Sequence, residues 1–250
     1  MVAFPLSHYC ELLAGLKENG YTLAPVRSYF ENPREHAVYL RHDVDRLPSR
    51  AVRMAQAENA LGIASAYYFR STKQGTFPEA AVQAIERLGH EIGYHYEVVT
   101  RYGAGSAEAV EAFARDLASL RKLSDVKTVA AHGSPLSGAT NIGYARGLDR
   151  SALGLLGEPQ TDFDFSRVLY VTDTGGIFGS PHNRRDWSPG KNLREPMTPA
   201  TLGRWLCPER EPLVLLTTHP ERWPESRTAA EVHGALDWGI NLMKRLRSRP

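Results

Sequence analysis

Short β-prone apolar runs along this chain alternate with stretches whose apolar residues recur every three to four positions, the two periods that separate strands from amphipathic helices. A helix is predicted over 7–18, and the run 36–41 reads as a strand that meets the polar cluster His42-Asp43-Val44-Asp45. Pro48 and Ser49 open a helix whose Val52, Met54, Ala55 and Leu61 give a partly apolar face, with Gly62 suited to the position just past its end. The rhythm then repeats: strand 65–69, helix 78–88 followed by Gly89, strand 91–95, helix 106–123 and strand 127–131. Runs 168–172 and 213–217 bring the count to about six or seven strands. Residues 175–196, rich in Gly, Pro, Asn and Arg, read as a long loop over the site, and 228–247 as a helix packed on the outside.

Alternating strands and helices favour a parallel sheet, and a right-handed succession of such units closes into a barrel, here slightly short of eight strands. The expected fold class is therefore α/β. At 250 residues one domain is the default: a helical segment 1–35 packed on a core 36–223, then a C-terminal helix within 224–250. No interdomain linker, low-complexity tract or repeat of about 20–50 residues interrupts it.

Charge and cysteine usage exclude several classes. The 30 Lys and Arg nearly balance 28 Asp and Glu, and the surplus of +2 argues for neither nucleic acid nor an anionic membrane as partner. Cys10 and Cys207 stand far apart and read as ordinary reduced thiols. The opening residues lack a basic leader, Glu11 interrupts their apolar positions, and no apolar run approaches the ~20 residues that span a bilayer. A cytoplasmic protein without an integral membrane segment is expected.

In βα barrels the loops after the strands gather at one face and build the site. Five predicted strand ends carry candidate acids, bases or ligands: Asp43 with Asp45, His95, His132, Asp173 and His219. His8, His36, His90, His182 and His233 do not share this position and default to surface, capping or packing roles. Asp43 and Asp45 share a face if the chain is extended there, whereas a turn would splay them. One carboxylate of such a pair can bind a divalent cation while the other accepts a proton from water; the alternative is a helix cap near Pro48 beside a surface ion pair. His95 next to this pair is a candidate ligand. His219 is a candidate proton donor to a leaving amine, or else ties down the turn 220–223. Asp173 orients His219 or an arginine, or starts the turn Thr174-Gly175-Gly176. Tyr94, Tyr96 and Trp187, with Tyr67 and Tyr68, are candidates for stacking on sugar rings, although aromatic residues at such places also complete cores.

RHDVD at 41–45, SAYYF at 65–69 and LGHEIGYH at 88–95, in that succession, resemble the NodB-homology polysaccharide deacetylases, carbohydrate esterase family 4, in a divergent branch. The resemblance spans roughly 38–223. It implies a distorted (β/α)7 barrel forming a single polysaccharide deacetylase-like domain, with Asp43 as catalytic base, Asp45 as metal ligand and His219 in LVLLTTH as general acid. The family's second motif continues to His-[Ser/Thr]-x-x-His, both histidines binding metal. Here it reads His95-Tyr96-Glu97-Val98-Val99, and a valine cannot bind metal. Another residue supplies the ligand, or the metal is held more weakly, or catalysis has been lost. The preferred replacement is His132 in His132-Gly133-Ser134-Pro135, where the family's third motif presents an Arg and a Pro; Glu97 is the alternative ligand, or a carboxylate that buttresses a ligating histidine.

The resemblance implies hydrolysis of an amide C–N bond by one divalent ion, zinc foremost, with cobalt or nickel as alternatives. The implied partner is a small molecule or glycan carrying an N-acyl group. A cytoplasmic location narrows this to an intracellular glycoside, a nucleotide-linked sugar or a lipid-linked precursor. The competing readings are a metal amidohydrolase acting on a non-sugar amide and a non-catalytic sugar-binding barrel. Oligomeric state is not legible in the sequence.

Overall fold

A computed structural model describes residues 4–134, 137–183 and 186–226. In chain order the elements are α1 (Leu6–Glu18), β1 (Thr22–Pro25), α2 (Arg27–Glu31), β2 (Ala37–Val44), α3 (Pro48–Ala60), β3 (Ala66–Phe69), α4 (Glu79–Arg87), β4 (Glu91–Tyr96), α5 (Val98–Tyr102), α6 (Ala107–Leu120), β5 (Val129–Ala131), α7 (Pro159–Asp162), β6 (Val168–Thr172), α8 (Pro199–Trp205) and β7 (Leu213–Thr218). α1 buries Tyr9, Leu12, Leu13 and Leu16, the i, i+3, i+4, i+7 stripe of an amphipathic helix. α3 buries the same stripe through Ala51, Met54, Ala55 and Glu58, so a carboxylate occupies a place the pattern reserves for an apolar side chain. Pro48 starts α3 where no N–H partner is needed, and Gly62 follows its end at φ 68°. Ser106 caps α6, its side chain accepting from the Ala109 N–H.

The strands form a curled parallel sheet in the order β5-β4-β3-β2-β7-β6, with β1 pairing β2 outside this path. One edge of β2 is divided between two partners: β1 pairs with 37–40 and β3 with 41–44, while β7 lines the opposite edge. All eight residues of β2 are buried, Arg41, His42 and Asp43 included. Central parallel strands covered on both faces are normally apolar throughout, which makes those three informative.

Successive side chains of a strand point to opposite faces. Val38, Leu40 and Val44 of β2 join the larger core, shared with α1, α3, α4 and α6. Ala37 and Tyr39 join a smaller core on the inner face with Ala66, Tyr68, Ala130, Tyr170 and Leu215. Gly93 pairs with Tyr68 in register, and a Cβ at Gly93 would stand 2.3 Å from that ring, so the glycine gives the ring its seat. Arg41 and Asp43 continue the parity of Tyr39 toward the C-terminal ends of the strands.

The structure departs from the sequence reading in several places, the unpredicted short helices α5 and α7 among them. Segment 1–35 contributes a strand, β1, as well as helix: four residues ending in Pro25 carry too little alternation to announce it. β2 continues past Arg41 through Val44, because His42 and Asp43 find partners inside the protein and need not leave the sheet. α8 interrupts what reads as irregular chain; Thr198 caps it and Pro199 starts it, and α1 packs against it. Described residues of 175–196 form no helix or strand, yet Phe178 and Leu193 are buried there. The predicted helix 228–247 lies outside the described residues. Among those described, no helix is long and apolar enough to cross a membrane.

Candidate metal centre

Asp45 follows β2, His95 lies on β4 and His132 follows β5, and one ligand atom from each lies within 4.8 Å of the others. His95 Nε2 and His132 Nε2 each stand 3.5 Å from Asp45 Oδ1. Their rings are perpendicular, with centroids 5.3 Å apart. Each imidazole is aimed by its other nitrogen: His95 Nδ1–H donates to the Ala130 carbonyl at 3.0 Å, and His132 Nδ1–H to Glu97 Oε1 at 3.0 Å. With Nδ1 so engaged, both imidazoles turn Nε2 toward Asp45 Oδ1, which is buried and has no close hydrogen-bond partner. The three side chains converge on one point, and an Asp/His/His set with open positions suits a zinc-class ion that displaces the proton from His132 Nε2.

The electrostatics agree. Burial pushes His95 down to about 4 in spite of the carboxylates Asp43 and Asp45, so its imidazole is neutral and its lone pair available. Burial would also lower His132, but the carboxylates Asp45 and Glu97 outweigh it and raise the group to about 9, so without an ion its imidazolium faces Asp45. Positive charge is thus favoured at the point where the three residues meet. Against its own burial, Asp45 is held well below the usual carboxylate range by His132 and His95.

Glu97 stands behind His132 rather than beside Asp45. Its carboxylate accepts from Ser134 Oγ at 2.8 Å and is gripped by Arg70 and Arg101. Of the two replacements for the ligand missing at Val99, His132 is the one brought to Asp45 and His95, and Glu97 orients it. Val99 lies in the first turn of the short helix α5 and is buried in the larger core, with its N–H bonded to Asn141 Oδ1 at 3.0 Å, so its position serves packing.

Asp43 and Asp45 are not splayed: Asp43 Oδ2 is 3.7 Å from the same His95 Nε2 that Asp45 approaches. The Arg41 guanidinium holds Asp43 in a two-pronged grip, Nε to Oδ1 and Nη2 to Oδ2, both 2.8 Å. Burial alone would raise Asp43, but Arg41 and then His95 keep it below its ordinary value. Across the sheet, Asp173 takes the first of the roles open to it. Its Oδ1 accepts from His219 Nδ1 at 2.6 Å, and its Oδ2 from the His219 backbone N–H at 3.1 Å and Trp223 Nε1 at 2.9 Å. Burial lowers His219, yet the Asp173 carboxylate outweighs it and raises the imidazolium to about 10. The charge on His219 acts in turn on both Asp43 and Asp45.

The aromatic candidates do not gather here. Tyr94 and Tyr96 flank His95 on β4 and therefore point to the opposite face, into the larger core. They are 1% and 0% exposed, and their hydroxyls are bonded to Asp116 and to Glu158. Trp187 is half-buried in segment 175–196, with the Arg194 guanidinium 4.5 Å over its ring. Several residues near the site escaped the sequence reading, Arg70 and Arg101 on Glu97 among them. Arg41 had a signal, since residues two apart on a strand share a face. Glu221, buried and raised by that burial to about 7, had none, because it sits in a 3-10 turn after Pro220. Comparison with protein-family models, with curated proteins and with solved structures gives no match.

Proposed function

We propose that this chain is a metal-dependent hydrolase that removes an N-acyl group, foremost acetyl, from a sugar-containing substrate, on a distorted (β/α)7 barrel of the polysaccharide deacetylase type. The observation that carries this reading is the convergence of Asp45, His95 and His132, with Asp43 beside them and a charged His219–Asp173 pair acting on the same carboxylates. One divalent ion, zinc foremost, would be held by these three ligands and would supply Lewis acidity to the amide carbonyl and the attacking water.

The remaining chemistry belongs to the chain's own side chains. Asp43, fixed by the Arg41 fork, accepts the proton of the attacking water. The same fork keeps it ionised at neutral pH, so it passes the proton on instead of retaining it. His219 stays protonated up to about 10 and donates to the departing amine, while Asp173 fixes which ring nitrogen faces the site. A carboxylic acid and a free amine result.

The same residues would cleave a non-sugar amide, so substrate comparison decides between the two. Zinc-loaded protein is expected to release acetate from N-acetylglucosamine derivatives and not from simple N-acetylated amino acids. Asp43→Asn, still folded and metalated, should lower kcat about 10²- to 10⁴-fold. Full activity in that variant removes Asp43 as the base. A purified protein with no affinity for zinc, cobalt or nickel removes the hydrolase reading altogether.

A further inference from the structure

The geometry points to an anion-binding cleft beside the metal triad, in which Arg46 and Arg70 hold a phosphate or carboxylate group of the substrate. Asp45 belongs both to the triad and to the wall of an open cleft of about 480 Å³. The other charged residues of that wall are Arg46, Arg70 and Arg101, so three guanidiniums face one carboxylate, and that carboxylate is committed to the triad.

The three arginines are not equivalent. Arg101 has spent its donors: Nε on Glu97, Nη1 on Ser71 Oγ and the Thr72 carbonyl, Nη2 on the Ser71 carbonyl and Glu97. It supplies positive charge and a fixed wall. Arg70 gives Nη2 to Glu97, but its Nε makes no hydrogen bond, and Nη1 has Asp45 only at 3.7 Å, beyond hydrogen-bond reach. Arg46 has a 61% exposed side chain whose nearest carboxylate is Glu221 at 3.7 Å. Two neighbouring guanidiniums with unspent donors, one of them anchored, match the oxygens of a phosphate or carboxylate. Phe69 and Phe77 give the rest of the cleft apolar wall.

A substrate reaching from the triad into this cleft is therefore an anionic N-acyl sugar, either a sugar phosphate or an acidic sugar. This deepens the deacetylase reading and rests on it for the reaction, though not for the anion site.

The test uses the full chain with inorganic phosphate as probe. Titration calorimetry should detect phosphate binding, and Arg46→Gln should weaken it about tenfold or more. Arg46 is exposed, so this variant keeps the fold. Phosphate that sits on the metal alone would bind Arg46→Gln as tightly as wild type, and that result, or no phosphate binding, overturns the cleft. In a second arm, kcat/KM for N-acetylglucosamine 1-phosphate and for an N-acetylated hexuronate should each exceed that for N-acetylglucosamine at least about tenfold. A preference for the phosphate alone, or for the carboxylate alone, identifies the substrate's anion. Equal values for all three overturn the proposal while leaving the deacetylase intact. Phosphate binding that depends on Arg46, with no hydrolysis of any of the three, upholds the cleft and overturns the deacetylase.

Discussion

Two buried histidine–carboxylate clusters lie on opposite faces of β2, one closed and one open. On the helix side, Glu58 Oε1 accepts from Tyr9 Oη at 2.6 Å and His42 Nε2 at 2.8 Å, and Oε2 accepts from Ser65 Oγ and Tyr67 Oη, both at 2.6 Å. Four donors meet the four lone-pair sites of a carboxylate. Thr218 Oγ1, 2.7 Å from His42 Nδ1, completes the network. On the inner side, Asp45 Oδ1 is also buried among imidazoles but makes no hydrogen bond. Residue types are alike in the two clusters, but His42 and Glu58 are fully buried whereas the His132 and Asp45 side chains stay 14% and 18% exposed. What also differs is whether the lone pairs are met: the closed cluster ties β2 to α1, α3 and β3, whereas the open one leaves Asp45 Oδ1 without a close partner.

Exchanging one charge in each cluster puts this difference at risk. Glu58→Gln presents an amide N–H to neighbours that are themselves donors, and should cost about 3–5 kcal/mol in denaturant unfolding. Zinc should raise the melting temperatures of this variant and of the wild type alike. Asp45→Asn should do the reverse. Zinc sites of about 10–16 kcal/mol shared over about four ligands assign ~3 kcal/mol to each, so affinity should fall about a hundredfold to a thousandfold and the zinc-induced thermal shift should disappear. If zinc shifts Asp45→Asn as much as it shifts the wild type, the open cluster is not a metal site.

Acid exposes the same contrast. Burial by itself would raise Glu58, but His42, Ser65 and Tyr67 outweigh it and hold the carboxyl at about 2 against its ordinary 4.5. A depressed folded-state pKa contributes stability that is complete above the unfolded value and is lost as pH falls through the folded one. The window here runs from about 4.5 down to about 2 and carries roughly 3 kcal/mol. Unfolding free energies of wild type and Glu58→Gln should therefore converge across it. Curves that stay parallel would mean that Glu58 carries no such charge.

The open cluster was largely legible in the sequence because Asp43, Asp45, His95, His132 and His219 each end or follow an apolar run, and strand ends meet at one face. The closed cluster was not. Glu58 occupies one place in a helical stripe, and its partners Tyr9 and His42 stand 49 and 16 residues away, at separations no local pattern connects. The error at Tyr94 and Tyr96 has a different origin: strand alternation around His95 already turns both rings away from it, and nearness in sequence was read as nearness to the site. The parallel sheet followed from the alternation of strands and helices; the expected closure into a barrel is met only by its curl, since β5 and β6 are not paired among the described residues. β1 and α8 are too short to announce themselves through periodicity.

Smaller changes sharpen the boundary between the clusters. Glu97→Gln leaves His132 an oxygen to bond but removes the charge that orients it, and should weaken zinc about 10- to 100-fold, measured by chelator competition. Loss of less than about twofold would reduce Glu97 to a partner of Arg70 and Arg101.

Tyr67→Phe is the mildest probe and the most discriminating. It removes one of the two donors on Glu58 Oε2, leaving Ser65, and a hydrogen bond to a buried charge is worth about 1.5–3 kcal/mol. Stability should drop by roughly that amount, and the acid loss should be smaller and end at higher pH because Glu58 is less well stabilised as an anion. Zinc affinity should change by less than about twofold, since Tyr67 and His95 act on opposite faces of the sheet and share no partner. A larger change in zinc affinity would mean that β2 transmits strain from His42 to Asp43, its neighbour in the chain. The closed cluster would then be setting the geometry of the open one, and the two could no longer be treated as separate devices.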